Sequence, residues 1–100
     1  RADDATALLG KWEVVKSTGD TPKGSVVEFA KDGKLAVVLK TEGKETRLAG
    51  TYALTGKKLS VKLTLNEQKI EHEFTIALKG DDELTLEDTD KKTDTLKRKK

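Results

Sequence analysis

The sequence predicts an all-β domain: about eight antiparallel strands in an up-and-down meander that closes into a small barrel. Three observations carry this. Apolar residues recur at every second position through most of the chain, short breaks bearing glycine separate the runs, and no stretch shows long helical periodicity. Successive side chains of a strand point to opposite faces, so such alternation gives one apolar and one wet face, the pattern of antiparallel sheet.

The elements follow in order. Asp3 to Leu9 suits a single helical turn capped by Asp3 or Asp4. Strands are expected near residues 9–17, 25–30, 34–41, 45–54, 58–65, 69–79, 83–88 and 93–99. Alternation is clearest in Leu59, Val61, Leu63 and Leu65, and in Ile70, His72, Phe74, Ile76 and Leu78. Leu35, Val37 and Leu39 repeat it, as do Leu84 and Leu86. Asp32-Gly33, Glu42-Gly43, Thr55-Gly56 and Gly80-Asp81 sit at the breaks, where glycine supplies the positive φ of tight hairpin turns. The single proline, Pro22, lies in a longer loop from Thr18 to Gly24. Connections this short make each strand pair with its sequence neighbour. Lys34-Leu35, Lys58-Leu59 and Glu83-Leu84 each open a hairpin, at a spacing of about 24–25 residues, which makes the two-stranded hairpin a weak internal repeat. A nearest-neighbour meander favours a barrel over a sandwich, because closure removes both edge strands.

Composition narrows the function. The 100 residues suffice for one domain spanning positions 1–100. Twenty basic and 18 acidic residues are interleaved to a net charge of +2, so no basic face is implied and nucleic acid is not an expected partner. No apolar run approaches the ~20 residues of a membrane-spanning helix. The absence of cysteine excludes disulfides, thiolate metal sites and cysteine nucleophiles. The chain opens on Arg1 rather than methionine, which fits removal of an upstream segment.

Nothing assembles into an enzyme site. Ser17, Ser25 and Ser60 lie in no nucleophile-elbow pattern, no inward carboxylates pair for glycoside chemistry, and no glycine-rich loop would cradle a phosphate. The acidic stretch Asp81, Asp82, Glu83, Glu87, Asp88, Asp90 and Asp94 lacks the glycine and glutamate of a calcium loop and reads as turns and wet strand faces. With one histidine and no cysteine, neither a divalent metal nor any other cofactor is expected.

Leu9-Gly10-Lys11-Trp12 opens the first strand, and Leu96-Lys97-Arg98 lies on the last. Gly-x-Trp at that place resembles the lipocalin signature, in which the tryptophan closes one end of an eight-stranded up-and-down barrel and a basic residue of the last strand packs across it. The resemblance covers both ends of the chain and the meander between them, and it implies that Trp12 and Arg98 form the structural barrel closure. Full lipocalins are longer, carry a helix after the barrel and have further loop motifs not seen here. The chain is more similar to the short bacterial lipocalin-like (calycin-type) domains, most of them exported and without assigned function. Export or a place in the cell envelope is what that similarity implies.

A function for such a barrel takes one of two forms. The first is a non-catalytic binder of a small apolar ligand at the open barrel end, with Phe29, Tyr52 and His72 as the ligand-binding residues. The second is a structural or protein-interaction module with a filled core and no ligand, whose protein partner the sequence does not name. Eight strands offer roughly 24–32 inward positions, most of them large aliphatics, so a mostly solid core with a shallow apolar mouth is expected. His72 falls on an inward face, where burial among aliphatics would disfavour its charged form.

Overall fold

Alternation alone would place a buried side chain at every second residue of eight strands, and the computed structural model follows that rule closely. It describes residues 7–19, 21–65, 67–80 and 82–99, apart from the side chain of Leu65. The strands are β1 (Gly10–Ser17), β2 (Val26–Phe29), β3 (Lys34–Thr41), β4 (Lys44–Thr55), β5 (Lys58–Leu65), β6 (Gln68–Lys79), β7 (Glu83–Asp88) and β8 (Thr93–Arg98). All pair antiparallel with their sequence neighbours, and β1 pairs with β8 to close the barrel. Ala7 and Leu8 are helical and lead into β1, whereas Asp3, Asp4 and Asp81 lie outside the described residues.

The meander gives the barrel two unlike ends. β1, β3, β5 and β7 all start at one end and run to the other. The repeat seen in the sequence acquires a physical meaning here. Lys34-Leu35, Lys58-Leu59 and Glu83-Leu84 are the first two residues of β3, β5 and β7, and all three leucines are buried at the starting end. Trp12, Leu8, Phe29 and Leu96 complete the core beside them. The opposite end is formed by the long loop before β2 and by the β3–β4, β5–β6 and β7–β8 turns.

The wall is complete near the closed end and interrupted towards the open one. β4 and β6 have 12 residues each, whereas β7 and β8 have six. Pairing of β6 with β7 begins only at Phe74 opposite Asp88, so residues 68–73 pair with β5 alone. Likewise β4 meets β5 only from Ala49 onward, leaving residues 44–48 paired to β3 alone.

One irregularity was not visible as alternation. The register between β1 and β8 shifts between Val14 and Lys16, a bulge centred on Val15. A bulge inserts one residue and switches which face the following side chains take. Before it the buried residues are Trp12 and Val14; after it Ser17 stands opposite Asp94.

Candidate functional site

The closed end is assembled from the chain's two extremities. Trp12 is fully buried, and its indole Nε1 donates a 2.8 Å hydrogen bond to the Leu8 carbonyl. The Arg98 guanidinium lies over the ring, 4.3 Å from its centroid. Its Nη1 donates to the Leu9 carbonyl and its Nη2 to the Ala7 carbonyl, each at 2.8 Å. Three successive carbonyls that a helical turn leaves without partners are thereby satisfied by two side chains. Cation–π attraction adds about 0.5–2 kcal/mol at such a contact. Gly10 makes the approach possible: its φ is +116°, and a Cβ there would lie 2.8 Å from Arg98 Nη1. The glycine of Gly-x-Trp thus serves the arginine as much as the turn, a role the motif alone did not disclose.

Phe29 and Tyr52 meet edge to face at 5.0 Å between centroids, and the Tyr52 hydroxyl donates a 2.7 Å hydrogen bond to the Ala30 carbonyl. This pins Tyr52 to the β2–β3 turn at the closed end. Phe29 lines the barrel interior, but Tyr52 does not face the cavity. Burial, and then the Asp32 carboxylate, push the Tyr52 phenol above its ordinary value of 10.0. A raised folded-state value contributes stability that is complete below the unfolded value and is lost as pH rises through the folded one. Tyr52 is the only tyrosine, so its ionisation can be followed alone by ultraviolet difference absorbance. The transition is expected at higher pH in the folded protein than in denaturant. Coincident curves would mean that the phenol is not buried beside Asp32.

The interior is filled at its base, as anticipated, by Phe29, Leu35, Leu59 and Leu96, but towards the open end it is roomier than the shallow mouth expected. A cavity of about 490 Å³ opens there, with walls formed by Val37, Leu39, Leu48, Val61, Leu63 and Phe74 among others. One feature of the sequence accounts for the space. The walls above Phe29 are almost wholly aliphatic, because the chain's few aromatic residues lie elsewhere apart from Phe74. Counting inward positions measured their number and not their volume.

His72 requires a second correction. It faces inward, opposite Val61, and borders the cavity, but it is exposed rather than buried among aliphatics. β7 ends opposite Phe74, so no strand flanks His72 on that side. Alternation assigns a side chain to a face; it does not say how high on the wall that face is still covered. The nearest ring is Phe74, 6.0 Å away between centroids.

The acidic stretch also proves to be divided. Asp88 continues the inward series of Leu84 and Leu86, and Asp94 that of Leu96 and Arg98, so both border the cavity mouth together with Asp90 and Lys92. Asp94 accepts from Ser17 Oγ at 2.5 Å and from Thr21 Oγ1 at 2.9 Å. One Asp88 oxygen accepts from the backbone N–H groups of Asp90 and Lys92, both at 2.9 Å, which fixes the β7–β8 turn. The parity of β7 and β8 carried the signal for both aspartates. Among the described residues no three histidine or carboxylate groups converge to hold a metal ion, and no helix is long and apolar enough to cross a membrane.

No family model matches the chain, and no curated protein matches it. Solved structures do. A lipocalin-like protein from Bacteroides uniformis superposes with a TM-score of 0.74 at 19% identity, over 93% of this chain and 99% of the other. An uncharacterized protein from Bacteroides eggerthii gives 0.73 at 14% identity, over 92% and 99%. At these identities the likeness is one of fold: the chain has a lipocalin-like fold, an eight-stranded antiparallel barrel of the kind seen in these two proteins.

Proposed function

We propose that this barrel is a non-catalytic binder of one small apolar molecule, taken up through the open end. The cavity carries the reading: its volume of about 490 Å³ is within the ~300–1,000 Å³ of small-molecule sites, and its walls are aliphatic with polar groups only at the rim. Phe29 supports the ligand from below and His72 flanks the entrance. Tyr52 acts indirectly, by holding Phe29 edge-on. Trp12 and Arg98 seal the far end, so entry and exit share one mouth. The alternative of a filled interaction module has no support from an interior with this much space.

The test uses a neutral apolar fluorophore, N-phenylnaphthylamine, titrated with the protein. Saturable enhancement is expected with the natural sequence. Leu39→Trp, which adds an indole to the cavity wall at a half-buried position, should abolish it while leaving the fold intact by circular dichroism. Native mass spectrometry of protein from its source would then look for a retained ligand. Absence of saturable binding by the unaltered protein sinks the proposal.

A further inference from the structure

The cavity's polar groups are concentrated at its mouth, and they are not balanced. Among the described residues, Asp88, Asp90 and Asp94 border it against the single ammonium of Lys92. The adjoining groove along the unflanked part of β6 adds Glu71 and Glu73 against Lys62. A pocket whose body is aliphatic and whose entrance is anionic suits a molecule divided in the same way.

The disposition of the carboxylates strengthens this. Asp94 is held by two neutral hydroxyls, those of Ser17 and Thr21, and Asp88 by two backbone amides. Neutral donors orient a carboxylate without cancelling its charge. The ion pairs of Glu45 with Lys40 and with Arg47 include none of Asp88, Asp90 and Asp94. The bulge at Val15 is what turns Ser17 towards Asp94, so the backbone itself is shaped to fix this group.

We propose that the ligand is an amphipathic cation, an amine with an apolar tail, whose tail occupies the barrel while its ammonium lies at the anionic mouth beside Asp88 and Asp90, with Asp94 adding to the field. This rests on the reading of the barrel as a small-molecule binder and assigns the chemical class of its ligand. The Asp88 carboxylate that the ammonium meets is already positioned by two backbone amides, so little ordering of that side chain opposes binding. The same field repels fatty-acid carboxylates, which an aliphatic cavity would otherwise accept. Because the mouth is partly exposed, the preference is moderate and screened by salt.

The experiment displaces N-phenylnaphthylamine with n-decylamine, n-decanol and n-decanoate at neutral pH and low ionic strength, each below its aggregation threshold. Decylamine is expected to compete about two- to fivefold better than decanol, as partly exposed charge pairs allow, with decanoate the weakest. The double variant Asp88→Asn/Asp90→Asn keeps the turn's hydrogen-bond acceptors and should bring the amine and the alcohol together. Added salt should narrow the gap in the unaltered protein. If decanol competes as well as decylamine, the assignment of a cation is wrong and the apolar pocket stands. If the fluorophore itself fails to bind, both readings fall. If decylamine is favoured but the double variant leaves its advantage intact, the charge is held elsewhere and the assignment to the mouth is overturned.

Discussion

Trp12→Ala is expected to destabilise the protein by about 3–5 kcal/mol, the range of aromatic-to-alanine changes in a core. Several contributions act together. The indole is fully buried, it carries the Arg98 guanidinium on its face, and its N–H satisfies the Leu8 carbonyl. Truncation leaves a void beneath β3, β5 and β7 and removes the surface on which the guanidinium rests. A domain of this size has a total stability of only about 5–15 kcal/mol, so the loss is a large fraction of the whole. Urea melts followed by circular dichroism give the measurement, since the variant has no tryptophan to report fluorescence. Trp12→Phe retains a ring for Arg98 and should recover a large part of the loss. A midpoint close to that of the natural sequence in Trp12→Ala would show that the plug contributes little.

Gly50→Ala should be costly for a reason opposite to loss of volume. A Cβ at Gly50 would stand 1.8 Å from the Lys62 carbonyl oxygen and 2.9 Å from Leu63 Cα. These are backbone atoms of the paired strand and no rotamer removes them. β4 can admit the methyl only by parting from β5, in the region where Gly50 lies opposite Leu63. The cost is expected at or above the upper end of the ~1–3 kcal/mol typical of overpacking, and Gly50→Val should prevent folding. Gly19→Ala supplies the control, because its added methyl would make an ordinary 3.5 Å contact with Lys92. Equal melting temperatures for the two alanine variants would contradict the close approach of β4 to β5.

The sequence was most informative where a property repeats with period two. All eight strands, the hairpin turns and the nearest-neighbour order were readable, because each is written as local alternation or local turn chemistry. The contact of Trp12 with Arg98 was suggested by a motif at one end and strand parity at the other. What escaped was whatever depends on distance around or along the barrel. His72 has the correct face and the wrong height, since the length of β7 decides whether it is covered. Gly50 looks like any glycine until β5 is placed beside it. Ser17 reaches Asp94 only through a bulge, which alternation does not announce. The cavity is a difference between barrel width and side-chain volume, and alternation specifies neither.

The pairing of β1 with β8 sets it apart in time as well as in space. Every other pairing joins sequence neighbours, most of them through a short turn, whereas Arg98 reaches a carbonyl 89 residues away at Leu9. Closing so long a loop carries an entropic cost that local hairpins avoid, so hairpins are expected to assemble first and the seam last. Interactions formed after the rate-limiting step slow unfolding without hastening folding. The clasp of Trp12 and Arg98 accordingly acts as a latch: in Trp12→Ala the lost stability should emerge mainly as faster opening, with the folding rate little changed.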